Sequence, residues 1–200
     1  MFMFLLFTIF AAASGFLLKE GSCPSNIDPI NNFDFDAFSG VWYDYANYPP
    51  TAAGVGKCGK ISYTKEGETI KVWNGNVVDG VQRYVDGVAR FASSEKVGDF
   101  FIKIQFGENP APKVDNDLQV IATDYKNYAV LYTCTNILDK TQSKVSLWVA
   151  TRTTSLASEP MKEVTEFLKS KGFDTSKLVD GDFSEEACKF TSTSRIEVYP

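Results

Sequence analysis

Gly40-Val41-Trp42-Tyr43-Asp44-Tyr45-Ala46-Asn47-Tyr48 is the stretch that decides the fold. The run is rich in aromatic residues, opens on glycine and ends against Pro49-Pro50, whose missing N–H groups cannot continue a ladder. Residues 41–48 read as a strand. The same punctuation recurs downstream. A small-residue loop from Thr51 to Gly56 leads to a strand over 58–64, and Glu66-Gly67 turns the chain into another over 69–74. After Asp79-Gly80 come strands over 81–91 and 99–106, then the loop Asn109-Pro110-Ala111-Pro112, then strands over 117–123, 128–136 and 144–152. Short strands at regular spacing, with no helical period between them, predict a meander and not βαβ units.

Lys144, Ser146, Trp148 and Ala150 share one face of the last of these strands, and Val145, Leu147, Val149 and Thr151 share the other. Neither face is consistently charged. That pattern suits a sandwich, or a barrel that encloses an apolar cavity and carries a helix outside. One segment has the helical period. Ser158 is the predicted cap of a helix over 159–171, Pro160 falls in the tolerated first turn, and Met161, Val164, Phe167 and Leu168 form one apolar stripe. Lys169 and Lys171 suit the negative end of the helix dipole, and Gly172 supplies the stop.

Two hundred residues, 44% hydrophobic and 22% charged, suffice for one domain with a sizeable core. The net charge is −5 with acids and bases interspersed, so no concentrated basic face exists for nucleic acid or an anionic membrane. The chain has no histidine, which removes Ser-His-Asp and Cys-His nucleophiles and His-ligated zinc.

Residues 1–15 form a continuous apolar run, short for a bilayer span and ending in small residues. No Lys or Arg precedes the run, yet Ala13 and Gly15 suit a cleavage site. A secretory signal peptide over 1–15 and a mature domain over 16–200 are expected. Cys23, Cys58, Cys134 and Cys188 lack metal-type spacing. In a secreted chain they predict two disulfides, for which the sequence allows three pairings.

Three motifs on this plan resemble the lipocalin family: Gly40-Val41-Trp42-Tyr43 behind Phe38, Thr123-Asp124-Tyr125 between the sixth and seventh strands, and Arg152 closing the eighth. A lone Gly-x-Trp is common; the three in order are specific. Cys23-Pro24, Asn32-Phe33, Tyr48-Pro49, Gly56-Lys57-Cys58-Gly59, Lys126-Asn127-Tyr128 and Asp182-Phe183-Ser184-Glu185-Glu186-Ala187-Cys188 carry the resemblance over nearly the whole mature chain, toward the insect bilin-binding lipocalins of the insecticyanin type. The resemblance implies an all-β fold, an eight-stranded antiparallel up-and-down β-barrel with one C-terminal α-helix packed on the outside. It implies that Arg152 lies over Trp42 at the closed end, with Gly40, Trp42, Thr123, Asp124 and Arg152 acting as scaffold. It also implies the pairs Cys23–Cys134 and Cys58–Cys188. The sequence departs from the pattern in lacking pocket histidines, in the loop at Asn109–Pro112, and in a tail from Lys189 to Pro200.

Within that frame, strand parity gives an inward set. With Trp42 inward, so are Asp44, Ala46 and Tyr48; with Cys134 outward to reach Cys23, Thr133 and Thr135 are inward. Trp148 shares the face of Arg152 and brings Lys144 and Ser146 with it toward the open end. Matching the family's strand positions adds Asn74, Asn76, Val85, Ile104, Phe106, Leu118 and Val120. The implied ligand is biliverdin, a bile pigment held non-covalently because every cysteine is engaged. Its flat tetrapyrrole would stack on aromatic walls, its N–H groups need carbonyl or carboxylate acceptors, and its propionates would reach Lys144 or Lys57 at the mouth. The implied function is that of a secreted, extracellular chromoprotein for coloration, transport or storage. A carrier of a carotenoid, retinoid, fatty acid or semiochemical is the alternative. No enzymatic activity, metal, nucleic-acid or membrane partner is expected, since lipocalin isomerases depend on a free barrel cysteine; homo-oligomers are compatible with this reading. A protein-binding role through residues 49–56 would need a large exposed anchor, which that loop lacks.

Overall fold

The computed structural model describes residues 16–48, 57–67, 69–93, 96–105 and 114–196. Strand β1 (Leu17–Glu20) and helix α1 (Phe35–Phe38) precede β2 (Gly40–Asn47), β3 (Lys57–Glu66), β4 (Thr69–Val78) and β5 (Val81–Phe91). Then come β6 (Asp99–Gln105), β7 (Val114–Thr123), β8 (Tyr128–Ile137), β9 (Gln142–Thr151), α2 (Ser158–Ser170), β10 (Val179–Asp180) and β11 (Ser192–Arg195). From β2 to β9 each strand pairs antiparallel with the next, and β9 returns to β2 through Tyr43↔Thr151 and Asn47↔Trp148. This closes an eight-stranded barrel. Closure matters because it leaves no open sheet edge along most of the wall.

The expected strands are β2 to β9, with ends displaced by a few residues. Strands β1, β10 and β11 and the short helix α1 carry no period that the sequence reading could use. The expected leader over 1–15 lies outside the described residues, as do the loops over 49–56 and 106–113.

Two apolar layers share the barrel wall. Inside, Phe33, Phe35, Phe38, Trp42, Tyr63 and Phe100 fill the closed end beneath β2. Phe38 packs 5.2 Å from the Trp42 ring and 5.1 Å from that of Tyr63, within the usual range for aromatic pairs. Outside, Val145, Leu147 and Val149 of β9 meet Val164 and Leu168 of α2, all buried. Burying each of those two helix side chains contributes roughly 1.5–3 kcal/mol. The stripe is the expected one, but the cap is not: Ala157 is the N-cap and makes no side-chain bond, while Ser158 is the first helical residue. The helix starts one residue earlier than expected, and Pro160 still falls in the first turn, where its missing N–H breaks no intrahelical bond. At the other end Gly172 has φ +81°, and Phe173 N–H donates to Leu168 O at 3.0 Å. That left-handed step ends the helix and turns Phe173 back into the outer layer.

Arg152 seals the closed end. Its guanidinium lies 3.7 Å from the centre of a Trp42 ring and donates to the carbonyls of Tyr125, Val41, Ala37 and Phe38 at 2.8–3.1 Å. Trp42 Nε1 donates to Phe38 O at 2.8 Å. Asp124 organises the turn beside it. Burial pushes its carboxyl up, but hydrogen bonds from Tyr128, Asn127 and Lys126 outweigh that and hold it below the usual carboxylate range. The disulfides are Cys23–Cys134 and Cys58–Cys188, the pairing that the resemblance implied, and no described cysteine is free.

Candidate functional site

The site begins with a fault in the alternation of β2. Asp44 pairs with Ala150, and the next pair is Ala46 with Val149, so Tyr45 is an extra residue and the register shifts between Asp44 and Ala46. A bulge reverses parity beyond it. Trp42 and Asp44 therefore face the interior, whereas Ala46 and Tyr48 belong to the outer layer under α2. The expectation that Tyr48 lines the cavity is corrected: its ring packs 6.5 Å from that of Phe173, outside the barrel. Asn47, paired with the inward Trp148, takes the interior position instead.

Asn47 and Asp44 form the polar centre of the interior. Asn47 Nδ2 donates to Asp44 Oδ2 at 2.9 Å, and Asp44 Oδ1 is buried with no hydrogen-bond partner among the described residues. Burial pushes this carboxyl up to about 6, and the Asn47 hydrogen bond offsets part of the rise. Gly59 leaves room for it, since a Cβ there would stand 3.1 Å from Asp44 Cβ. At neutral pH the group is largely ionised and has acceptor capacity turned to the interior.

Around it the inward ladder runs Trp42↔Ile61, Ile61↔Asn74 and Asn74↔Val85. Asn76 sits opposite Arg83 one step nearer the open end, so Arg83 is an inward-face cation that the sequence reading did not name. On the far wall Leu131 pairs with Trp148, Thr133 with Ser146, and Thr135 with Lys144. Leu118 and Val120 are buried in the lower core, and Val120 pairs with Leu131. Ile104 is in register with Gly87, and Phe106 lies outside the described residues. Asn74 is exposed, and Asn76, Val85 and Thr133 are half-buried, although all four are on inward faces. The lower interior is packed; the upper interior is accessible. Tyr63 closes the floor, its buried hydroxyl also without a described partner.

The mouth differs from expectation on one side. Lys57 forms an ion pair with Asp182 at 3.5 Å and is paired with Val77, on the Trp73 face outside the barrel, so it does not serve the opening. Lys144 does stand at the rim, its Nζ 5.0 Å from the ring of Phe16 just ahead of β1. No signal in the sequence marks Asn47, because a bulge leaves no trace in a run of aromatic and small residues.

The arrangement is a barrel closed below by aromatics and Arg152, with a buried carboxylate halfway up and a cation at the rim. Residues 39–185 match the model of the lipocalin / cytosolic fatty-acid binding protein family. The chain is 35% identical to the bilin-binding protein of Pieris brassicae over 186 residues, covering 92% of this chain and 96% of that one. It is likewise 35% identical to insecticyanin-B of Manduca sexta over 198 residues, covering 95% and 94%. The solved structure of insecticyanin from the tobacco hornworm, Manduca sexta, superposes with a TM-score of 0.81 at 32% identity, over 90% of this chain and 96% of that one.

Proposed function

The chain belongs to the lipocalin family, whose members bind small hydrophobic ligands, and from that premise we propose that it is a secreted carrier of a biliverdin-type bile pigment held non-covalently. The observation that carries the reading is Asp44: a carboxylate in the interior of an apolar barrel, with Oδ1 free to accept. Retinoids, carotenoids and fatty acids offer such a group few or no N–H donors. A linear tetrapyrrole offers several, on a flat body suited to the Trp148 wall. Its conjugated chain would supply the long-wavelength absorption of a pigment.

Each residue has a distinct task in this reading. Asp44 accepts N–H bonds, and Asn47 fixes the orientation of its carboxyl. Trp148, Ile61, Val85 and Leu131 give the apolar walls, while Thr133, Thr135, Ser146, Asn74 and Asn76 give a polar upper band. Lys144 meets an anionic group at the rim. Both disulfides consume the cysteines, so nothing described favours thioether attachment. Disulfides and an apolar leader suit an extracellular carrier.

Titration of the refolded protein with biliverdin, with retinol and a fatty acid as competitors, tests the proposal. The expected result is saturation at one molecule per barrel, a red-shifted visible band and induced circular dichroism, with Asp44→Asn weakening binding about 10-fold. Tight binding of retinol or the fatty acid with no saturable biliverdin signal would overturn the pigment reading and leave the lipocalin assignment intact.

A further inference from the structure

Strand β11 occupies an unusual place. Strand β5 pairs with β4 from Val81 to Ala89 on one edge, and on its other edge the described part of β6, which ends at Gln105, pairs with it from Asp86 onward. The stretch from Val81 to Tyr84, at the open end, is instead taken by β11, which runs parallel to β5 in the register Ser192↔Val81, Thr193↔Gln82, Ser194↔Arg83 and Arg195↔Tyr84. Thr191 N–H donates to Gly80 O at 3.0 Å and Ile196 N–H to Tyr84 O at 2.8 Å, so the attachment has hydrogen bonds beyond both ends of the strand. Arg195 Nε lies 3.2 Å from Asp86 Oδ2, where β6 takes over. The Cys58–Cys188 bridge fixes the chain just upstream.

Parity then says which side chains meet the interior. Paired residues in a ladder share a face. Arg83 and Val81 are on the inward face of β5, in step with Val85, so Ser194 and Ser192 face inward and Thr193 and Arg195 face outward. The outward Asp86–Arg195 ion pair agrees with this assignment.

We propose that β11 is a wall segment of the ligand cavity, with Ser192 and Ser194 lining the mouth beside Arg83 and the Arg195–Asp86 pair latching the segment in place. The ligand it meets is the outer, anionic end of an amphiphilic molecule, for which two hydroxyl donors and a guanidinium are suited. This rests on the reading that the barrel interior is the binding site, but not on the ligand being a bilin.

Full-length variants test it with two probes, biliverdin and 1-anilinonaphthalene-8-sulfonate, both anionic and partly apolar. Ser194→Phe and Ser192→Phe are expected to change affinity at least 5-fold, while Thr193→Phe leaves it unchanged. Arg195→Ala and Asp86→Ala are expected to raise the dissociation rate several-fold with the melting temperature within 2 °C of the parent. Equal effects of inward and outward substitutions, or an unchanged dissociation rate in both latch variants, would overturn the proposal. If biliverdin fails to bind but the fluorophore gives the alternating pattern, the pigment reading falls and the wall stands. Binding of neither probe removes both.

Discussion

Asn47 reaches back along β2 and donates from Nδ2 to Asp44 Oδ2 at 2.9 Å, a contact between two inward side chains that strict alternation would place on opposite faces. The bulge at Tyr45 makes it geometrically available. It holds one carboxyl oxygen and leaves the other without a described partner, in a setting that raises the group toward about 6. A buried ionisable group with spare acceptor capacity costs folding stability, which is the usual mark of a site built for something other than the scaffold.

Asp44→Asn should therefore stabilise the ligand-free protein. The folded carboxyl titrates near 6 against an ordinary value of 3.8, so ionisation disfavours the folded state. The penalty is absent below about pH 4, grows up to about pH 6 and is complete above it, at roughly 3 kcal/mol from a shift of about two pH units. Urea denaturation at pH 3.5 and pH 8 checks this: the variant should gain stability at pH 8 and lose that advantage at pH 3.5. An equal gain at both would remove the carboxylate as its cause.

Ligand affinity should follow the same group. If N–H donors of the ligand bind the carboxylate form, affinity for biliverdin falls as pH drops through 6, and binding itself draws the carboxyl downward. The Asp44→Asn variant should show a flat profile over pH 5–8. A parent profile as flat as the variant's would dissociate Asp44 from binding.

Arg152→Ala should lower stability by about 2–4 kcal/mol, since it removes the ring contact with Trp42 and strips partners from four backbone carbonyls. Affinity of the folded protein should barely change, because the interior between Trp42 and the mouth is untouched. Lost affinity at an unchanged melting temperature would move Arg152 from the scaffold to the site.

Breaking either disulfide should cost about 2–5 kcal/mol, since the bridges close separations of 111 and 130 residues. The two should differ in consequence. Removal of Cys58–Cys188 frees the chain that carries β11 and should speed ligand release. Removal of Cys23–Cys134 loosens the segment behind β1, also tied by the Cys23 N–H to Asn136 Oδ1 bond of 2.7 Å. Stopped-flow dissociation of the paired Cys→Ser variants separates them.

Gly181→Ala probes the same region from outside. A Cβ there would stand 2.4 Å from the backbone oxygen of Asp44 and 2.8 Å from the ring of Phe183, so the β10 segment must leave β2. A loss of about 1–3 kcal/mol is expected by thermal melting, with a changed Asp44 titration. An unshifted melting temperature would mean the segment yields freely.

Local chemistry determined much of this protein from the sequence alone. Runs of strand-forming residues between turn residues marked the eight barrel strands and the apolar stripe marked α2, because turns and amphipathicity are properties of neighbouring residues, while Trp42, Asp124 and Arg152 were assigned to the closed end by the resemblance to the lipocalin pattern. Alternation also placed Thr133, Ser146 and Trp148 inward, where a strand has no fault. The tertiary structure alone decided the rest. Moving Tyr48 outside and Asn47 inside depends on one extra residue at Tyr45, which costs nothing in local propensity and is fixed by the pairing of β2 with β9. The seats of β1, β10 and β11 depend on where barrel strands part from their neighbours at the open end, leaving backbone groups that only a distant segment can satisfy. Which edge is vacant is a property of the closed barrel, and no short stretch of the chain contains it.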